Sequence, residues 1–192
     1  MIVAFLVSSL LGLSAVAVAW WLYGRDLPDV ESLREVQLQV PLRVFTADGK
    51  LIGIFGEKRR IPVSLEDLPD CLAQAFIASE DARFYEHPGV DYQGLTRAAW
   101  SLLTTGDKSI GGSTITQQLA RNFFLTTEKT FTRKIKEIFL ALRIERELEK
   151  NQILELYMNK IFLGYRAYGV GAAAEVYYGK SPDKLSLAQC AM

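Results

Sequence analysis

The chain has 192 residues, 49% hydrophobic and 23% charged, enough for one ordinary domain with a short appendage and too apolar for a disordered or collagen-like chain. Twenty-two Lys and Arg balance 22 Asp and Glu, so no whole-molecule field would hold the protein on a nucleic acid, and an anionic partner must be met by a local patch. Cys71 and Cys190 stand in no close-spaced pattern and there is a single His, which argues against a zinc site or a disulfide framework; each cysteine reads as a small buried hydrophobe.

Ile2 to Gly24 holds no charged residue over 23 positions. As a helix it would span roughly 34 Å, a bilayer core with a little tilt. Trp20, Trp21 and Tyr23 gather at its far end, where aromatic rings favour the headgroup zone, and Arg25-Asp26 closes the apolar run. The segment 1–24 therefore reads as a transmembrane anchor. A cleaved signal peptide is the alternative, with Ala15-Val16-Ala17 as a cleavage site, but the run is long and lacks a positive front. Arg25 and Arg34 lie on its C-terminal side and favour a cytoplasmic body, although a long domain is translocated regardless of that bias.

Residues 25–63 read as a stalk and linker. Pro28 and Pro41 punctuate a polar stretch, and the apolar runs Leu42–Phe45 and Leu51–Phe55 flank Asp48-Gly49, a hairpin signal in which Gly supplies positive φ. After Pro62 the period changes. Leu72, Ala75, Phe76 and Ser79 follow helical spacing, as do Phe131, Ile135, Ile138, Phe139 and Leu142, so 64–192 reads as a mainly helical body. Ser186-Leu-Ala-Gln189 has the form of a capping box, and a helix opening there is expected to continue past Met192, as in a fragment of a longer protein. Ser181-Pro-Asp-Lys184 fits the S-x-x-K acyl-transfer pattern, but without S-D-N or K-T-G it reads as a turn.

The chemistry concentrates in a few segments. Glu80-Asp81 arrives at the end of the apolar run Ala75–Ala78, where a partly desolvated carboxylate could take a proton from a sugar hydroxyl; a solvated helix-end acid pair is the plain alternative. Gly111-Gly112-Ser113 precedes a Thr114 to Gln117 capping box, a helix start whose free N–H groups suit a phosphate, with Arg121 about a turn further on. Lys108, Arg121, Lys129, Arg133, Lys134 and Lys136 face only Glu128 in that stretch, which marks either an anion site or a solvated basic face. Arg133 and Glu137 lie four apart on one helical face, an ordinary ion pair unless the fold brings Glu137 to Glu80, in which case acid–base work on a glycosidic centre becomes feasible. His87 reads as a structural hydrogen-bonder.

Taken in order, E-D-x-x-F-x-x-H-x-G (80–89), G-G-S-T-I-T-Q-Q-L-x-R-N (111–122), R-K-x-x-E (133–137), E-L-x-K-x-x-I-L-E-x-Y-x-N (147–159) and Y-G-V-x-A-A-A-x-x-Y-x-G-K (168–180) resemble the peptidoglycan glycosyltransferases of family 51. The anchor, the hairpin and Gly56-Glu57-Lys58-Arg59-Arg60-Ile61-Pro62 are most similar to the bifunctional class A penicillin-binding proteins, in which a transpeptidase domain follows. The resemblance implies a lysozyme-like helical domain at the outer, periplasmic face of the cytoplasmic membrane, polymerising lipid II into glycan strands with inversion, undecaprenyl diphosphate being the leaving group. It implies Glu80 as the base on the acceptor 4-hydroxyl, Asp81 as its support, and Glu137 acting near the donor diphosphate or through a divalent cation, Mg or Mn. Gln117, Gln118, Arg121, Arg133 and Lys134 would hold the diphosphates, with Ser113, Thr114, Asn122 and Lys136 as second choices. The implied partners are lipid II, the growing strand, the membrane and other cell-wall synthesis proteins. The rival readings are a lysozyme-like hydrolase or lytic transglycosylase, which protonates its leaving group and needs no cationic cradle, and a tethered scaffold without turnover.

Overall fold

The computed structural model describes residues 10, 12, 14, 17–25, 27–34, 38–56, 59–106, 112–126, 128 and 130–192. Most of the expected anchor lies outside the described residues, as do Asp26, Glu57, Lys58, Lys108, Gly111 and Lys129. No helix among the described residues is long and apolar enough to cross a membrane. The described end of that segment is a π-helical turn, Trp20–Gly24, whose Trp20 ring meets Phe139 edge-on at 5.2 Å.

The segment expected as a stalk does not stand clear of the body. Val30 and Leu33 are 3% and 2% exposed within the core, and Arg34 Nη2 donates to the Glu147 carbonyl oxygen at 2.7 Å. Two apolar side chains at the spacing of a short 3-10 turn, Glu31–Leu33, are enough to dock it. The hairpin forms as expected. β1 (Leu42–Phe45) pairs antiparallel with β2 (Leu51–Phe55), with an irregularity between Val44 and Phe45, and Gly49 takes φ 82° at the turn. A two-residue strand β3 (Arg59–Arg60) runs parallel to β4 (Ala167–Tyr168) and ties the linker to the far end of the body.

The body is helical. α1 (Asp70–Glu80) starts after Pro69, which cannot extend a helix backwards; α2 (Tyr92–Thr105) follows a loop; α3 (Ile115–Phe124) opens on Thr114. α4 (Phe131–Glu147) is capped by the Thr130 hydroxyl and α5 (Lys150–Lys160) by a Glu149/Gln152 box. α6 (Val170–Tyr178) ends on left-handed Gly179, and α7 (Leu187–Cys190) opens on the Ser186/Gln189 box. α3 packs against both α4 and α5. Leu119, Leu140, Ile144, Ile153 and Leu154 are fully buried between them, each stabilising the fold by about 1.5–3 kcal/mol of apolar burial. Gly169 (φ 85°) lets α6 approach α5: a Cβ there would stand 2.7 Å from the Asn159 carbonyl oxygen.

The cysteines correct the sequence reading. Cys71 on α1 and Cys190 on α7 are joined in a disulfide across 119 residues, with Cα atoms 5.9 Å apart. Spacing along the chain carries no information about that pair, because only the packing of α7 on α1 brings them together.

Candidate active site

α1 ends at Glu80 because Asp81 leaves helical geometry (φ −160°, ψ 74°) and turns inward. The two acids therefore divide. Asp81 is 7% exposed, whereas Glu80 lies exposed at the helix end, so of the pair it is Asp81 that is desolvated. The Asp81 carboxylate accepts from the Ile115 amide at 3.1 Å, at the N-terminus of α3, and faces His87 Nε2 at 2.9 and 3.0 Å. His87 Nδ1 accepts from the Gly89 amide, so the ring proton facing Asp81 sits on Nε2. Thr114 donates to the Gly89 carbonyl oxygen at 2.6 Å and accepts from Gln117 N. This buried network locks the end of α1 to the start of α3, and His87 has the structural role read for it.

Thr114 caps α3 as expected, but the reciprocal half of the box is absent because the Gln117 side chain is used elsewhere. Gln117 Oε1 accepts from Lys134 Nζ at 3.0 Å. The same ammonium donates to Ser113 Oγ at 2.7 Å and Glu137 Oε2 at 3.2 Å. Glu137 is 1% exposed, with Arg133 Nε 3.1 Å from its other oxygen. Its charge is thus matched by two cations. The buried Gln117 Nε2 finds no hydrogen-bond acceptor among the described residues. Arg133 and Lys134 thus flank the Glu137 carboxylate, and among the described residues no cluster of three or more His, Cys, Asp or Glu could hold a metal by itself.

The next residue on α3 faces the other carboxylate. Gln118 Nε2 donates to Glu80 Oε2 at 2.8 Å, and Gln118 Oε1 accepts from the Tyr157 hydroxyl at 3.2 Å. Burial and then the Glu80 charge push the Tyr157 phenol above its ordinary range, against a smaller opposing effect of Arg121. In the sequence Tyr157 stands as the tyrosine of the 147–159 motif, with no role of its own assigned to it. Asn122 is exposed, and among the described residues no hydrogen bond or ion pair ties Asn122, Lys136 or the Arg121 side chain to either carboxylate.

Two cavities meet at Glu80. The larger, about 500 Å³, is mostly apolar and lined by Leu72, Phe76, Ser79, Glu80, Tyr177 and Tyr178, among others. The smaller, about 280 Å³, is lined about equally by polar and apolar surface and runs past Ser79, Glu80, Asp81 and Arg83 to Ser113 and Thr114. Arg83 is itself held by Asp91 and Gln93.

Against known proteins, the chain is 55% identical over all its 192 residues to penicillin-binding protein 1A of Vibrio cholerae serotype O1, covering 23% of that protein. It is 61% identical over 167 residues to penicillin-binding protein 1A of Escherichia coli K12, covering 87% of this chain and 20% of that one. A solved structure, that of penicillin-binding protein 1A from Haemophilus influenzae, is 34% identical over 81% of this chain and 13% of its own, at a TM-score of 0.36. The chain spans about a fifth of the length of the curated relatives it matches. The family model described as Transglycosylase matches residues 48–192, hairpin tip to last helix, and so includes both carboxylates and the α3 glutamines that address them: the chain belongs to the transglycosylase family.

Proposed function

We propose that this chain is the catalytic part of a peptidoglycan glycosyltransferase, a lysozyme-like helical domain that joins lipid II units into glycan strands. The observation that carries the reading is the division of labour on α3. Gln118 addresses the accessible carboxylate of Glu80 at the junction of two cavities, while Gln117 presents a buried donor beside Lys134 that has no acceptor among the described residues.

Glu80 takes the proton from the acceptor 4-hydroxyl as the new C–O bond forms at the donor's anomeric carbon. The bond from that carbon to the diphosphate breaks, and the electron pair leaves on the diphosphate. An attacking alcohol needs a base, whereas a diphosphate leaving group needs positive charge more than a proton. Lys134, Arg133 and Gln117 supply that charge and the donor N–H on the Ser113 side of Glu80. Glu137 holds the two cations in place. A hydrolase protonating a sugar oxygen would leave this cationic cluster without a task.

The membrane belongs to the same proposal. Segment 1–24 would be the single-pass anchor, with the body on the periplasmic side, where a polyprenyl-linked substrate is reached along the bilayer surface. Trp100 and Leu103 on α2 are 70% and 82% exposed and form an apolar surface suited to lie against lipid.

The test is polymerisation of labelled lipid II by the full-length protein in detergent, wild type against Glu80→Gln, which keeps the shape and removes the base. Polymer yield is expected to fall by roughly 10²–10⁴-fold. Equal polymer from both would remove Glu80 as base, and loss of finished strands in place of growth would turn the reading to a hydrolase.

A further inference from the structure

A carboxylate can only accept hydrogen bonds, so the Gln118 group facing Glu80 at 2.8 Å must be its NH₂. The amide oxygen then points the other way, and it meets the Tyr157 hydroxyl at 3.2 Å. An amide has no other means of telling its two ends apart. With the opposite flip its oxygen would face the Glu80 carboxylate, and the Tyr157 O–H would lose its acceptor.

Tyr157 is placed to enforce that choice. Its side chain is fully buried, its ring meets Phe76 of α1 edge-on at 6.0 Å, and among the described residues the one hydrogen bond of its hydroxyl is to Gln118. Burial and the nearby Glu80 charge both keep the phenol protonated, so it always has a proton to give. The chain of donors therefore has one direction: Tyr157 O–H to Gln118 oxygen, Gln118 N–H to Glu80. Glu80 itself is exposed and has no other hydrogen-bond partner among the described residues, so this N–H is what holds its carboxylate at the junction of the cavities.

We propose that Tyr157 is a positioning residue for the transfer step, acting through Gln118 to hold the Glu80 carboxylate where it receives the acceptor proton. The proposal rests on Glu80 being the base. It also assigns Gln118 to the base and not to the diphosphates. Tyr157 touches no substrate, and its ring would serve the core equally well without the hydroxyl.

The experiment measures kcat and KM for labelled lipid II with the full-length protein, comparing wild type, Tyr157→Phe, Gln118→Ala, the double variant and Glu80→Gln, with a melting temperature for each. Tyr157→Phe is expected to lower kcat by about tenfold with KM within about twofold, since a misplaced base is felt only in the transition state. The double variant is expected to match Gln118→Ala alone, because the hydroxyl has no other route to Glu80. A wild-type kcat for Tyr157→Phe beside an inactive Glu80→Gln overturns the positioning role and leaves the base intact. Multiplying effects in the double variant, or a lowered melting temperature with unchanged kcat, overturn it as well. An active Glu80→Gln is a separate result that removes the base itself. Should Gln118→Ala fail to fold, Gln118→Met takes its place in the cycle, keeping the length of the side chain and removing both the donor and the acceptor.

Discussion

Replacing Asp81 by Asn keeps the side-chain shape but turns one acceptor into a donor, in a pocket where both neighbours already donate. The amide NH₂ is forced against the His87 Nε2–H or the Ile115 N–H, and His87 cannot shift its proton to Nδ1 because that nitrogen accepts from Gly89. With Asp81 and His87 both under a tenth exposed, water cannot repair the conflict. Asp81→Asn is expected to cost about 1–3 kcal/mol, read as a lowered urea midpoint with an unchanged slope. An unchanged midpoint would show the network to be slack. The same scale separates the adjacent glutamines of α3. Gln117 and Gln118 are indistinguishable by residue type, yet they point about 100° apart around the helix, one to Lys134 and one to Glu80.

At the scale of elements, α1 carries Glu80 at one end and is held at the other by the bond from Cys71 to Cys190. The closed loop of about 120 residues is long, and removing such a crosslink from the denatured chain typically costs 2–4 kcal/mol of stability. Cys71→Ser with Cys190→Ser, or reduction of the wild type, is expected to lower the urea midpoint accordingly. Equal midpoints with and without reductant, together with full alkylation of the native protein, would count against the bond. The elements themselves were largely legible beforehand. The Asp48-Gly49 turn, the Thr114 and Ser186 caps and the 3.6-residue period of α1 and α4 are short-range properties, and each is realised. The docking of Val30 and Leu33 was not legible, because two apolar residues in a polar stretch acquire a meaning only when a core is there to receive them.

For the whole molecule, charge cancels to zero and the only field a phosphate can feel is local. Raising ionic strength from about 50 to about 500 mM shortens the screening length to a few ångströms and is expected to raise KM for lipid II severalfold in the wild type. Lys134→Met should show a weaker salt dependence from a higher starting KM; equal slopes would place the diphosphate elsewhere. Composition, helical period and the ordered motifs determined by themselves that this is a mainly helical transglycosylase-family chain, since residue type, order and spacing are written along the chain. Only the tertiary structure decided that Asp81 and Glu137 are buried and matched while Glu80 stays accessible, that Cys71 meets Cys190, and that Tyr157 reaches Glu80 through Gln118. Burial and partnership depend on which helices pack together, and that is a property of three dimensions that no local pattern encodes.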